Sequence, residues 1–255
     1  MRDVLRVNHY AYTTEKAYLQ WVRRYIRFHN KIHPLQLGKA ELEAFLTHLA
    51  VNRQVTAATQ NQALAALLFL YTKVLKKDPP WLSEMVRATR PSRLPMVLSR
   101  QEVRALLEQV SPQHQLLVRL MYGTGLRLME AVRLRILDVM FANGYILVRE
   151  GKGGKDRRTV LPESLVDELQ AQCAFARALH QQDLGRGHGA VALPAALSKK
   201  LKGAAQDPIW QYLFPAQRLS EDPRTGGVLR RHHVWPQTIQ RAVRQGAKKH
   251  ASTSG

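Results

Sequence analysis

Cysteine is almost absent from this 255-residue chain, with Cys173 as its single example. One thiol excludes an intrachain disulfide framework and a cysteine-based zinc site, and it fits a reducing compartment. Acidic residues are scarce, 19 against 39 Lys and Arg, for a net charge of +20. No apolar run approaches the ~18 residues of a membrane-spanning helix, and the N-terminus lacks the basic-then-apolar pattern of a signal peptide. The expectation is a cytoplasmic protein with no membrane partner. No acidic or cysteine ligand stands at metal spacing from the adjacent pair His232-His233, so no metal is expected there. Tyrosine is also unevenly spread, and the last one is Tyr212.

What is present is a core and a charge. Hydrophobic residues make up 45% of the chain, enough to bury a sizeable interior rather than leave a disordered polymer. The basic excess runs through both halves instead of sitting in a tail. Two folded basic halves point to a polyanion as partner, with nucleic acid ahead of a ribosome-associated or heparin-like surface.

Residues 13–30 are predicted helical. Tyr18, Trp21, Val22, Tyr25 and Phe28 fall on one stripe, and Arg23, Arg24, Arg27 and Lys31 form a basic face. Further helices are predicted over 39–53 and 57–77. The start of the latter is polar and uncharged, and Gln60 and Asn61 there suit either a sugar-phosphate backbone or plain solvent. Asp78-Pro79-Pro80 ends that pattern. A Pro- and Arg-rich linker follows at 81–97, with Arg87, Arg90 and Arg93 placed to follow phosphates. Ser99 and Glu102 form a capping box that opens a helix, and Pro112 begins another that ends near Gly123. A third helix starts at Gly125-Leu126-Arg127. Short strands at 145–148 and 158–161 flank a glycine-rich turn, which makes a hairpin. Helical pattern returns from Pro162 to about Gln182, breaks over 184–230, and resumes from Pro236 to Lys249.

Four places carry candidate chemistry. Arg127 begins a helix, where a guanidinium fork and free backbone N–H groups both favour an anion. Glu130, one turn later, can hold that arginine, although a surface arginine with a helix-terminal glutamate fits the same residues. Lys152 sits on the glycine-rich turn, where it can donate a proton to a leaving oxygen or simply be solvated. Lys155, Arg157 and Arg158 compete for that duty. The turn is not a P-loop, because strands lie on both sides and the Gly-Lys-Ser/Thr order is missing. The pairs Arg230-Arg231 and His232-His233 suit phosphate or base contacts, or a partly buried structural role. Trp210, Tyr212 and Phe214 alternate and offer an aromatic edge to exposed bases, or plug a core.

The 124–130 run, the 151–158 hairpin and the basic helical N-terminal half together resemble the tyrosine recombinases, the phage-integrase family. The resemblance covers essentially the whole chain. It implies a mainly α fold with a small β-hairpin or sheet. Residues 1–80 would form a SAM-like helical core-binding domain and 81–97 a linker. Residues 98–255 would form an α+β catalytic domain, incomplete, with an insertion at about 184–230. The two domains of the family close on DNA as a C-shaped clamp. Arg127 corresponds to the family's first catalytic arginine, Glu130 to its acidic support and Lys152 to the hairpin lysine. The family needs no metal or ATP. A tyrosine attacks the scissile phosphate, arginines stabilise the charge, and the lysine protonates the departing 5′-oxygen.

Residues 16–21, 28–30 and 184–230 are similar to the integron integrase branch. That branch binds folded single-stranded recombination hairpins through bulged bases and assembles as a tetramer. By that resemblance Trp210, Pro223, His232 and His233 fall where those bases are handled. One departure stands out. The family's second box is His-x-x-Arg, and none of the ten histidines here has arginine three places later. No tyrosine follows Tyr212. The expectation is a C-terminally truncated chain that holds half an active site, binds DNA without cleaving it, and assembles weakly with other protomers. A non-catalytic DNA-binding or interference module and a basic RNA-binding protein remain as alternatives.

Overall fold

The structure is a computed structural model that describes residues 1–77, 88, 97–149, 151, 155–193, 200–201, 203–221 and 227–253, with the backbone alone over 250–253. Arg87, Arg90, Lys152 and Pro223 therefore lie outside the described residues. The chain forms two compact units, Met1–Pro95 and Met96–Gly255.

The first unit is helical. Helices α1 (Arg2–Val7), α2 (Tyr12–Phe28), α3 (Lys39–Val51) and α4 (Ala57–Phe69) follow in order, and α4 runs on into a π-helical turn at Leu70–Val74. In α2 the i, i+1, i+4 set Trp21, Val22 and Tyr25 is buried. It meets Leu42, Phe45, Leu46 and Leu49 of α3 and Leu64 and Leu67 of α4. Phe28, expected on the inner stripe, is instead partly exposed at the helix end. The left-handed conformations of Asn30 and Lys31 stop α2 there. The buried phenols are satisfied: Tyr25 and Tyr71 hydroxyls pair at 3.1 Å, and Tyr71 donates to the Pro34 carbonyl at 3.0 Å. The short α1, absent from the sequence pattern, is held by the fully buried Leu5 and by charge. Arg2 and Arg6 each lie 3.2 Å from the Glu15 carboxylate, which is only 2% exposed as a residue.

The second unit packs helices around a small sheet. Helix α5 (Arg100–Gln109) opens with the expected capping box, Ser99 N–H donating to Glu102 at 2.7 Å. Helix α6 (Pro112–Thr124) ends at Gly125, whose φ of 66° is the left-handed region glycine favours. Helix α7 (Leu128–Val132) follows at once. Strands β1 (Val139–Met140), β2 (Tyr145–Val148) and β3 (Arg157–Val160) form an antiparallel sheet in that order, with Leu147 opposite Arg158. Helix α8 (Val166–Gly185), the strand pair β4 (Ser220–Glu221) and β5 (Leu229–Arg230), and helix α9 (Pro236–Thr253) complete the unit. The core joins Leu117 and Leu120 of α6, Val132, Ile146, Leu169 and Ile239.

The 184–230 stretch breaks the helical pattern because part of it threads the core as extended chain. Leu213 N–H donates to the Leu134 carbonyl at 2.8 Å, and Ile136 N–H to Gln211 at 3.1 Å. On the other side Val234 N–H donates to Phe214 at 2.8 Å and Ala216 N–H to His232 at 2.7 Å. Residues 211–216 are thus bonded on both flanks. Among the described residues, no helix is long and apolar enough to cross a membrane.

Candidate active site

The site is built at the corner where α6 turns into α7. Gly125 reverses the chain, and Thr124 Oγ1 closes α6 by donating to the Leu120 carbonyl at 2.6 Å. Strand β3 then docks on this corner. Strand alternation turns Arg157 and Thr159 to one face and Arg158 and Val160 to solvent. Thr159 Oγ1 donates to the Thr124 carbonyl at 2.9 Å, and Arg157, two residues back, reaches Glu130 on α7.

Glu130 is the hub. Its Oε1 accepts from Arg127 Nη1 at 2.9 Å and from Arg157 Nη1 at 2.9 Å. Its Oε2 accepts from Arg127 N–H at 2.9 Å and from Arg157 Nη2 at 2.8 Å. The side chain is 9% exposed, whereas that of Arg127 is 60% exposed. The Arg157 fork, then the backbone N–H and guanidinium of Arg127, hold the carboxyl down at about 2, against the opposing effect of desolvation. Glu130 is therefore fully ionised near neutrality, and it presents an open guanidinium to solvent at a helix start. That arrangement suits an incoming anion.

The hairpin leaves from the same spot. Gly151 N–H donates to the Lys155 carbonyl at 3.0 Å. A Cβ at Gly151 would stand 2.9 Å from that carbonyl oxygen, 3.2 Å from Arg157 Nη1 and 3.6 Å from Glu130 Oε1. Only glycine fits so closely against the pair. Lys152 itself is outside the described residues, but its neighbour touches the site. Lys155 is exposed beside it.

A cavity of about 550 Å³ adjoins Glu130, lined among others by Arg133, Arg135, Asp138, Arg149, Tyr212 and His232. Sequence reasoning missed its cationic wall. Arg135 is buried, donating to the Trp210 carbonyl at 2.5 Å and the Ala192 carbonyl at 2.8 Å. Asp138 accepts from Arg149 Nε at 2.6 Å and from Arg135 N–H at 2.9 Å. Burial pushes the Asp138 carboxyl up, and those two arginines work against it. The available signal was the Arg135–Asp138 spacing of three, at which a carboxylate can cap the N–H of the first residue.

Several sequence-based site residues are corrected. Trp210 and Tyr212 are core residues, 9% and 8% exposed, rather than an open aromatic edge. Arg135 lies against both rings, 5.8 Å and 4.8 Å from their centroids. His233 is buried, with its Nδ1 2.8 Å from the Val234 carbonyl. Burial lowers its pKa to about 4, with His232, Arg133 and Arg135 adding to the effect. Arg231 is a clamp: it grips the Asp183 carboxylate through Nε and Nη2 and donates from Nη1 to the Ala216 carbonyl at 2.7 Å. Arg157 is occupied by Glu130. The amides of Gln60 and Asn61 turn inward. Gln60 reaches the Leu46 carbonyl at 3.3 Å, and Asn61 exchanges two 2.9 Å bonds with the Ala88 backbone. Arg23, Arg24 and Arg27 are exposed on α2 as expected, and so is His232, while Arg230 is half-buried on β5. Among the described residues, no group of three His, Cys, Asp or Glu side chains is placed to hold a metal ion.

Comparison with known proteins matches the chain to a family. The N-terminal SAM-like domain of phage integrases matches residues 1–81, and the phage integrase family matches residues 96–254. Proteins described as integrase/recombinase from Escherichia coli and from Pseudomonas aeruginosa are each 47% identical over 249 residues, spanning 98% of this chain and 74% of theirs. A lambda integrase tetramer bound to a Holliday junction superposes with a TM-score of 0.61 at 14% identity, over 98% of this chain and 61% of that one. A lambda integrase dimer bound to a core site gives 0.60 at 15% identity, over 98% and 76%. At such identities the likeness is one of fold. The chain therefore belongs to the phage integrase family, the tyrosine recombinases.

Proposed function

We propose that this protein is a DNA-binding site-specific recombinase of the integron integrase type, in which Arg127 binds the scissile phosphate and Glu130 holds it in place. The observation that carries this reading is the ionised Glu130 carboxylate holding an exposed Arg127 guanidinium beside the root of the glycine hairpin. Lys152, on that hairpin, is assigned the proton for the leaving 5′-oxygen. Lys155 serves the neighbouring phosphates. Arg23, Arg24 and Arg27 give the N-terminal unit its own backbone-binding face, and Arg87 and Arg90 are assigned further phosphates. Residues 1–80 form the core-binding domain, 81–97 the linker and 98–255 the catalytic part.

The substrate class is DNA that includes folded single-stranded recombination hairpins. His232 and Pro223 are assigned the unpaired bases, on resemblance to the integron branch, and Arg230 a contact to the adjoining DNA. With Trp210, Tyr212 and His233 buried, His232 is the exposed described residue of that region to which a base contact is assigned. The partners are DNA and further recombinase protomers, and no cofactor is needed. The 255 residues hold no His-x-x-Arg and no tyrosine beyond Tyr212. A polypeptide of this sequence is expected to bind such DNA and leave it intact.

Incubation with a labelled recombination hairpin, followed by denaturing separation, tests both halves. The expected result is saturable binding stronger than to RNA of the same shape at equal salt, with no covalent adduct. A tyrosine-linked DNA product would overturn the inactivity, and a preference for structured RNA would overturn the substrate class.

A further inference from the structure

We propose that Arg157 is a positioning residue: through Glu130 it couples the Arg127 arm of the site to the lysine-bearing hairpin. The inference rests on the reading that Arg127 binds phosphate.

Three observations on separate elements carry it. First, Glu130 accepts four hydrogen bonds, two on each oxygen, one pair from Arg127 and one pair from Arg157. That fills the roughly four lone-pair sites of a carboxylate. A terminal carboxylate torsion is broad on its own. The Arg157 fork fixes the plane of the group, and only a fixed plane can offer Arg127 both a backbone and a side-chain contact. Second, Gly151 packs where a Cβ would lie 3.2 Å from Arg157 Nη1 and 3.6 Å from Glu130 Oε1. The root of the hairpin therefore rests on the same ion pair. Third, Arg157 is anchored in β3, whose Thr159 is bonded to the α6 terminus at Thr124. Its backbone belongs to the sheet, whereas Glu130 belongs to α7.

Arg157 thus joins two elements whose functional side chains lie elsewhere. With Nη1 and Nη2 both turned to Glu130, it acts on the ligand through Arg127. The exposed Lys155 is the better candidate for a direct phosphate contact on this strand turn. Loss of the pair would leave Glu130 free to rotate, Arg127 untethered and the hairpin root unsupported, with each residue still present.

The test is a double-mutant cycle on the full chain, read as affinity for a fluorescent DNA hairpin at one fixed salt concentration. The variants are Arg127→Ala, Arg157→Gln, Arg157→Lys, and each Arg157 change combined with Arg127→Ala, with thermal melts confirming the fold of each. Removing one charge-assisted contact weakens binding by about tenfold. The expected result is about tenfold for either single change and still about tenfold for the pair. Lysine at 157 should restore part of the loss when Arg127 is present and none when it is absent. If Arg157→Gln does not fold, the same cycle with Arg157→Lys decides. Losses that multiply to about a hundredfold would mean that Arg157 meets DNA independently, and would overturn the coupling. So would normal affinity in Arg157→Gln. Unchanged affinity in Arg127→Ala would instead remove the phosphate reading itself, and the coupling with it.

Discussion

Glu130 keeps its charge to about pH 2 because Arg157 first, and Arg127 second, stabilise the ionised form. The sign follows. A carboxyl whose folded pKa is depressed contributes stability that is fully present above its unfolded value near 4.3 and is lost as pH falls toward 2. Glu130→Gln should therefore flatten the acid limb of the stability curve below about pH 4 and leave stability near pH 7 lower than in the wild type. Urea titrations at several pH values check this. His233 acts higher on the scale. Burial brings its pKa from about 6.5 down to about 4, so the neutral ring is the folded form. Its contribution is present above about pH 6.5 and disappears as pH falls toward 4. His233→Asn, which keeps a donor for the Val234 carbonyl, should remove that part of the acid sensitivity. Arg127 is different in kind. Its guanidinium is mostly open to water, so Arg127→Ala should change unfolding free energy by only about 0.5 kcal/mol. At this scale the sequence made Arg127 and Glu130 legible as a pair, because helix-start spacing of three is a local rule. It could not distinguish Arg157 from Lys155 and Arg158. Which one meets Glu130 depends on where β3 begins, and the strand starts one residue earlier than its apolar pattern suggests.

The element scale is governed by what holds the second unit's extended chain in place. Arg231 and Asp183 are buried partners, with side chains 10% and 3% exposed, and they tie α8 to the strand-like 214–216 segment through the Ala216 carbonyl. Arg231→Leu leaves the Asp183 carboxylate buried without its counter-charge. It should cost about 3–5 kcal/mol, measured by chemical denaturation. A loss under about 1 kcal/mol would mean that the clamp is dispensable. Sequence pattern located most of the helices, since periodic apolar residues and caps are local signals. It missed α1, whose six residues are too few to show an apolar stripe and are held by one buried side chain, Leu5, with the Arg2–Glu15 and Arg6–Glu15 pairs. It also could not place 210–216. Alternating aromatics look the same whether the strand borders solvent or lies between two neighbours, and the partners at 134–136 and 232–234 are distant in sequence. Trp210 and Tyr212 were therefore legible as a pattern and not as a location.

At the scale of the whole molecule, the two units each carry a core of their own and share the basic excess. Charge of this kind makes DNA affinity fall steeply with salt, by about 0.7 in log–log slope for each single-strand phosphate contacted. Replacing Arg23, Arg24 and Arg27 together with Gln should lower that slope by about 2. An unchanged slope would place the phosphate contacts on other residues. Composition and charge made the class of partner legible, because electrostatics adds over a chain without regard to fold. The contact of Arg157 with Glu130 depends on the fold instead. The measurement that tests the central claim most directly is the affinity of the intact chain for a DNA hairpin before and after Arg127→Ala, at one salt concentration and with matched melting temperatures. Binding weaker by about tenfold with the fold preserved is the expected result, and equal affinity in the two proteins would contradict it.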